Sequence, residues 1–207
     1  DDRQRCLSLY EECFASHVGY TMEFRFRRGD GSYGWLLDRG LPRFTPDGSF
    51  AGFIGSATDI TAQKRAEEAL AEREGRLRTI IQSEPECVKL LDQSGRVTEM
   101  NPAGLAMLEA DNLEQVRGKR VSPIIVPEYR PAFEALTRSV FEGKSGALSF
   151  EVIGLKGTRR WLDTHAVPLR NSAGEITALL GITRDITERK RVEAALYESN
   201  ARFMRIA

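Results

Sequence analysis

The sequence predicts an α+β protein built from two domains of the same kind in tandem. Its 207 residues suffice for two domains of roughly 100 residues each. The segment Trp35–Ile80 matches Trp161–Ile206 without a gap, each residue lying 126 positions before its partner. A period of that length is too long for a solenoid repeat of about 20–50 residues and indicates a duplicated domain.

The first copy is expected to contain a helix and three antiparallel strands. Asp1–Ser16 is the helix, and runs rich in β-branched and aromatic residues, separated by turns such as Asp30-Gly31, predict the strands. Upstream of Trp35, Glu23-Phe24 is matched to Glu151-Val152 by dropping two residues from the first turn. The predicted strands are Tyr20–Arg27, Trp35–Phe44 and Phe50–Ala57.

The second copy adds elements that precede its own helix and three strands. A hairpin is predicted first, then a short helix opened by Asn101-Pro102, a strand-like run and an amphipathic helix that ends at Gly143. The predicted bounds are Cys87–Leu91, Val97–Asn101, Ala103–Ala110, Val121–Val126, Glu128–Phe141, Ala147–Leu155, Arg159–Leu169 and Glu175–Thr183.

Each copy continues from its last strand into Asp-Ile-Thr and then a charged helix. We expect the isoleucine to face the core and the threonine to be the N-cap, its hydroxyl accepting from a free N–H group of the helix. The aspartate would lie at the positive end of the helix. The repetition indicates that this segment transmits a signal from the sheet to the helix. The alternative is that it only starts the helix, for which the same residues would serve. These residues are Asp59, Ile60, Thr61, Asp185, Ile186 and Thr187.

The helices that follow Asp-Ile-Thr place apolar residues at seven-residue steps. Such a pattern is typical of a coiled coil and predicts a homodimer that pairs through these helices. Two to three heptads are marginal in isolation, so a solvated helix that packs on its own domain is the alternative. The residues expected at the paired face are Leu70, Leu77, Val192, Leu196 and Phe203.

Composition narrows the functional classes. Lys plus Arg and Asp plus Glu each total 30, so no overall charge favours nucleic acid or an anionic membrane. No apolar run approaches the roughly 20 residues of a membrane span, and no signal peptide is recognisable. Three cysteines form neither a disulfide framework nor a zinc motif. The expected location is the cytoplasm, and no metal site is predicted.

Three stretches resemble the PAS family (PAS domain with PAC motif). They are "LLDQSGRVTEMNPAGLAML", "RRWLDTHAVPLRNSAGEITALLGITRDITERK" and its counterpart "GYTMEFRFRRGDGSYGWLLDRGLPRFTPDGSFAGFIGSATDITAQK". The resemblance implies a five-stranded antiparallel sheet per domain with helices on one face. Residues 1–61 would be the C-terminal half of a first, N-terminally truncated domain. Residues 62–80 would be a connector helix, 76–189 a complete domain, and 188–207 a connector to a further domain.

The resemblance also implies a sensing and relay module of a multi-domain bacterial sensor, in a two-component system if the output is a histidine kinase. A diguanylate cyclase output and a ligand-free dimerisation module are the alternatives. The chain itself shows no catalytic constellation. The expected partners are a second copy and the downstream PAS and output domains of the same chain, with no nucleic acid.

The family also guides the cofactor predictions. Photoadduct flavin members carry an Asn-Cys-Arg motif that this sequence lacks, and Phe133 stands where haem-binding members place histidine. In the first copy Cys6 takes roughly that place. These features argue against haem and photoadduct flavin and leave a non-covalent small molecule or none. Candidate pocket residues, each equally explicable as core packing, are Cys87, Met107, Phe133, Trp161 and His165.

Overall fold

The computed structural model describes the backbone of residues 2–204 and the side chains of residues 2–197. The chain divides into two compact units, one ending at Arg76 and the next beginning at Leu77. Among the described residues, no helix is both long and apolar enough to cross a membrane.

The first unit is a three-stranded antiparallel sheet that carries one helix. Helix α1 (Asp2–Ser16) precedes β1 (Tyr20–Arg27), β2 (Tyr33–Phe44) and β3 (Phe50–Asp59), and β2 is the middle strand. Aromatic rings of α1, among them Tyr10 and Phe14, pack against rings of the sheet. Helix α2 (Thr61–Ser83) follows β3 directly and contains the boundary between the two units.

The second unit confirms the predicted five-stranded antiparallel sheet with helices on one face. The strand order is β5-β4-β8-β7-β6, and α3 and α4 cover the face whose side chains form the core. Helix α5 follows β8. The elements are β4 (Cys87–Leu91), β5 (Val97–Met100), α3 (Pro102–Leu108), α4 (Arg130–Phe141), β6 (Gly146–Ile153), β7 (Arg159–Arg170), β8 (Ile176–Asp185) and α5 (Thr187–Met204).

The strand register corrects the proposed gap in the repeat. Arg27 pairs with Tyr33, and Ile153 pairs with Arg159, so each turn encloses the same number of residues. The offset of 126 therefore continues through the turn. Phe24 faces Leu36 as Phe150 faces Leu162, which makes Phe24 the counterpart of Phe150. The match of Glu23-Phe24 to Glu151-Val152 was wrong because it assumed turns of different length.

The offset of 126 residues also relates the helices that precede the two sheets, α1 and α4. His17 and Gly143 both take positive φ angles, 56° and 91°, and the next residue's N–H bonds five residues back in each copy. With these helix ends aligned, the counterpart of Phe133 is Leu7, one residue from the expected Cys6.

Three further expectations, one strand and two helix boundaries, are corrected by prolines and by a left-handed residue. Val121–Val126 is no strand but contains the 3₁₀ turn Ser122–Ile124, because Pro123 has no N–H to donate to a ladder. A second 3₁₀ turn at Pro127–Tyr129 delays α4 until Arg130. Helix α3 ends at Leu108 because Glu109 adopts φ 62° and stops the helical ladder.

We expect the buried face of the second unit to dominate its stability. Leu91 is fully buried on β4, so Leu91→Ala should lower the free energy of unfolding by about 2–5 kcal/mol. Leu155→Ala removes the same atoms from a half-exposed position and should change it by less than about 0.5 kcal/mol. Urea denaturation of both variants measures the difference, and equal losses would contradict this placement of the core.

Candidate functional site

In each unit a tryptophan, Trp35 on β2 and Trp161 on β7, forms hydrogen bonds with the segment that leaves the last strand. In the second unit the backbone N–H of Trp161 donates to Thr187 Oγ1 over 2.9 Å, and the backbone N–H of Ile186 donates to the Trp161 carbonyl over 2.8 Å. In the first unit the Trp35 N–H donates to Thr61 Oγ1 over 2.8 Å. Both peptide groups of the tryptophan are therefore paired with the start of the exit helix. We call this arrangement the latch.

The latch corrects the predicted capping role of the threonines. The first carbonyl that accepts a helical bond belongs to isoleucine, since Lys190 N–H donates to Ile186 O and Lys64 N–H donates to Ile60 O, each over 2.9 Å. Isoleucine is thus the N-cap. The threonine is the first residue of the helix, and its hydroxyl accepts from the tryptophan backbone N–H and donates to the aspartate.

The aspartates supply the capping acceptor instead. Asp185 Oδ1 accepts from the Thr187 N–H over 2.8 Å and also from its hydroxyl, and Asp59 Oδ1 accepts from the Thr61 N–H over 2.9 Å. A carboxylate at this end of a helix is also favoured by the helix dipole. Ile60 and Ile186 are both buried, which fixes the segment between strand and helix.

A lysine one turn into each helix completes the latch. Lys64 Nζ and Lys190 Nζ each lie 5.7 Å from the ring centroid of the tryptophan in their own unit, Trp35 and Trp161. A cation over an indole face is attracted by about 0.5–1 kcal/mol at an exposed site. The segment that follows the last strand thus contacts the tryptophan at its backbone N–H, its backbone carbonyl and its indole ring.

The arginine that binds the aspartate differs between the units. In the first unit Arg28 comes from the turn after β1 and lies 2.5 Å from Asp59. The hydroxyl and N–H of Thr61, followed by Arg28, lower the pKa of Asp59 from 3.8 to about 2. In the second unit Arg160 comes from β7 and lies 3.3 Å from Asp185. Gly34 occupies the position of Arg160 in the first copy.

Arg160 also reaches the end of α3. Its Nη1 lies 3.6 Å from a carboxylate oxygen of Glu109 and donates to the Met107 carbonyl over 3.2 Å. Glu109 in turn accepts from the backbone N–H groups of Lys156 and Thr158. The Thr158 hydroxyl is the main reason that the pKa of Glu109 is lowered. One chain of contacts therefore joins α3 to the latch.

Sequence reasoning missed both Arg160 and Glu109. The repeat concealed Arg160, because the first copy has Gly34 there and recruits its arginine from elsewhere. Glu109 looked like an ordinary residue near a helix end, and only its left-handed backbone turns the carboxylate toward the β6–β7 turn.

The structure separates the five candidate pocket residues into two groups. Cys87 and Phe133 are buried in the core, and Met107 packs against it. Trp161 and His165 point to the opposite face, because the buried residues of β7 are Leu162, Thr164 and Ala166. His165 is exposed, and Trp161 contacts the ring of Tyr129. The interior of the unit is therefore lined without these two residues.

The interior contains a lysine that sequence reasoning also missed. Lys89 is 5% exposed on β4 and donates to Thr183 Oγ1 over 2.5 Å and to Thr164 Oγ1 over 3.4 Å. Burial lowers the pKa of its ammonium group. The available signal was the alternation Cys87, Lys89, Leu91, which puts the lysine on the face of two apolar residues.

The expected pairing residues of the exit helices are exposed. Leu70 and Leu77 of α2 and Val192 and Leu196 of α5 are between 53% and 62% exposed. The side chain of Phe203 lies outside the described residues. Each helix thus carries an apolar stripe of its own, Leu70 and Leu77 on α2 and Val192 and Leu196 on α5, which is exposed among the described residues.

The sheet order, the helix-covered interior and the latched exit helix together define a class of small α+β domain. Profiles of the PAS fold match residues 81–191 and residues 1–57. The first match spans more than half of the chain, which therefore belongs to the PAS family. A solved PAS domain of an HTR-like protein from Haloarcula marismortui has the same fold, with 20% identity and a TM-score of 0.52, over 59% of this chain and 99% of that one.

The curated relatives include a histidine kinase and a sensor protein. The chain is 27% identical to the peroxide stress-activated histidine kinase mak1 of Schizosaccharomyces pombe and 26% identical to the sensor protein FixL of Bradyrhizobium diazoefficiens, in both cases over its whole length. It is 26% identical over 98% of its length to "Probable diguanylate cyclase DgcE" of Escherichia coli. The chain spans 14%, 41% and 18% of these relatives respectively.

We expect the Asp59 carboxylate to resist protonation. Its pKa is lowered, so its contribution to stability is present above the ordinary value of 3.8 and disappears only as the pH falls toward about 2. The carboxyl carbon signal of Asp59 in an NMR titration should therefore change little between pH 5 and pH 3.

The two substitutions of Thr61 provide the control. Thr61→Val removes the hydroxyl that donates to Asp59 and should return the midpoint toward 3.8, whereas Thr61→Ser should preserve the low value. A midpoint near 3.8 in the unsubstituted chain would refute the assigned hydrogen bonds.

Proposed function

We propose that this chain is the sensing and relay part of a longer signalling protein, in which the latch passes a change in the PAS domain to its exit helix. The observation that carries the proposal is the bond from the Trp161 N–H to Thr187 Oγ1, repeated at Trp35 and Thr61. It couples the strand that carries the tryptophan, β7 in the second unit, to the start of the exit helix. A displacement of β7 must displace α5 or break the latch.

The proposed route runs from α3 to α5. A ligand or neighbouring domain that moves α3 displaces Glu109, and Arg160 couples Glu109 to Asp185. Asp185 in turn holds the N–H and hydroxyl of Thr187. A bias of a few kcal/mol between two packings is enough for such a switch. Hydrogen bonds to charged groups, each worth about 1.5–3 kcal/mol, are of that size.

Exposed apolar side chains on α2 and α5 support the further proposal of a homodimer that pairs through these helices. Pairing would bury Leu70, Leu77, Val192 and Leu196, which are otherwise in water. In a paired helix, a small shift at the latch changes the register or rotation that the output domain receives.

The proposed output is a histidine kinase, on the likeness to mak1, with a diguanylate cyclase as the second possibility on the likeness to the Escherichia coli protein. A ligand-free dimerisation module is the alternative function, and the same exposed stripe favours it. Signal-dependent output distinguishes the two, because a pure dimerisation module responds to no signal.

The latch is tested by the pair Thr187→Val and Thr187→Ser in the longer protein that carries this chain. Thr187→Val removes the acceptor of the Trp161 N–H and should reduce the signal-dependent change of output at least tenfold, whereas Thr187→Ser should keep it within about twofold. Output is measured as kinase or cyclase activity with and without the signal, alongside circular-dichroism melts of the chain.

Asp185→Ala should have the same effect, since it removes the group that links Arg160 to Thr187. The melts must show that each variant remains folded. A full signal response in folded Thr187→Val and folded Asp185→Ala would contradict the proposed relay.

The homodimer is tested on α5. Leu196→Glu places a charge on the apolar stripe and should weaken dimerisation at least tenfold in sedimentation equilibrium. Tyr197→Glu is the matched control, because Tyr197 is 78% exposed and lies one residue away from the stripe. A chain that is monomeric at high concentration, or equal effects of the two changes, would contradict pairing through this face.

A further inference from the structure

The most unusual group in the second unit is the Lys89 ammonium. Among the described residues it forms no ion pair with a carboxylate, and its recorded hydrogen-bond partners are the hydroxyls of Thr183 and Thr164. Burial of a charge without a counter-charge is costly. A chain that needed only core packing would gain stability from an apolar residue at this position.

Small residues on the neighbouring strands leave room for the methylene groups of Lys89. Lys89 faces Gly181 on β8, and Gly181 faces Ala166 on β7, so the two smallest side chains lie beside it on the inner face. A methyl group added to Gly181 would lie 3.4 Å from Cε of Lys89. The methylene groups of Lys89 pack over Gly181, and its ammonium group lies between β7 and β8, next to Thr164 and Thr183.

The two threonines bond to each other as well as to the lysine. Both are buried, with 2% and 0% exposure, on neighbouring strands. Together the three side chains present one cation and two hydroxyls that can donate to an oxygen anion. The first unit has Asp38 and Ala57 at the positions of Thr164 and Thr183, so the fold itself does not require this trio.

The surroundings restrict the anion. Cys87 and Leu91 flank the lysine on β4, and the neighbouring core is apolar, with Phe133, Phe150 and Leu162. The titratable side chain that influences the pKa of Lys89 is Cys87. One cation in an apolar interior neutralises one negative charge, whereas a second carboxylate on the ligand would be buried unpaired. The flexible thioether of Met100, the partner of Lys89 on β5, can adjust to an apolar chain.

We propose that Lys89, Thr164 and Thr183 form the recognition site for a small aliphatic monocarboxylate in the interior of the second unit. The inference rests on the proposed sensing function and names its ligand class. The ammonium forms the ion pair with one carboxylate oxygen, and the threonine hydroxyls exchange their mutual bond for bonds to the ligand. The ligand's alkyl group lies against the apolar core.

Isothermal titration calorimetry of this chain with acetate, propionate and butyrate tests the site, with butyramide as the uncharged comparison. We expect at least one of the three acids to bind saturably, and butyramide to bind at least tenfold more weakly than butyrate. Since burial lowers the pKa of Lys89 and an anion raises it, binding should weaken as the pH rises through the pKa of Lys89, which titrations repeated at increasing pH reveal.

Lys89→Met should reduce the affinity at least tenfold and abolish this dependence on pH. It keeps most of the length of the side chain and removes a buried charge, so it should fold. Lys144→Met, at a lysine that is 71% exposed, is the matched control and should leave binding unchanged. Thr164→Val gives an independent test and should weaken binding several-fold.

The inference is overturned if none of the three acids binds, if Lys89→Met binds them as tightly as the unsubstituted chain, or if butyramide binds as well as butyrate. These outcomes are independent of the relay, because binding needs only this chain. Thr187→Val should bind the acid normally, so loss of ligand binding and loss of signal transmission are recognised separately.

Discussion

The bond between a threonine hydroxyl and the backbone N–H group of a tryptophan is the constraint on which both units depend. It joins β2 or β7 to the first residue of the exit helix, at Thr61 and at Thr187. The tryptophan carbonyl accepts from the N–H of the isoleucine that precedes this threonine, so both peptide groups of the tryptophan are paired. The aspartate supplies the acceptor at the start of the helix, and the threonine hydroxyl faces the tryptophan.

Around this common latch the two units differ in a way that matters for the proposed relay. In the first unit the aspartate pairs with Arg28, which lies in the β1–β2 turn. In the second unit it pairs with Arg160, which also pairs with Glu109 at the end of α3. Of these two arginines, the second binds a helix that covers the sheet. The second unit thus has a polar route from α3 to its exit helix α5, which carries the exposed residues Val192 and Leu196.

Much of the fold follows from the sequence, since turns with glycine at positive φ and runs of strand-forming residues repeat in the same order. Tyr20–Arg27 and Cys87–Leu91 have the predicted bounds. The site was harder to predict because its decisive contacts lie far apart in the chain. A threonine before a helix favours capping on local grounds, and only the nearby Trp161 N–H redirects its hydroxyl. Lys89 is a normal surface residue by type, and its alternation with Cys87 and Leu91 was the one local signal of its burial. His165 and Trp161 shared a strand face, but the sequence did not say which face is inward.

The central claim is that Arg160, Asp185 and Thr187 act as one unit. A double-mutant cycle of Arg160→Met and Thr187→Val, measured by urea denaturation of this chain, tests it most directly, because the two residues are connected through Asp185. A coupling energy of about 0.5–3 kcal/mol is expected for members of one hydrogen-bonded network. Additive effects of the two substitutions would show that the latch is independent of Arg160 and would contradict the account.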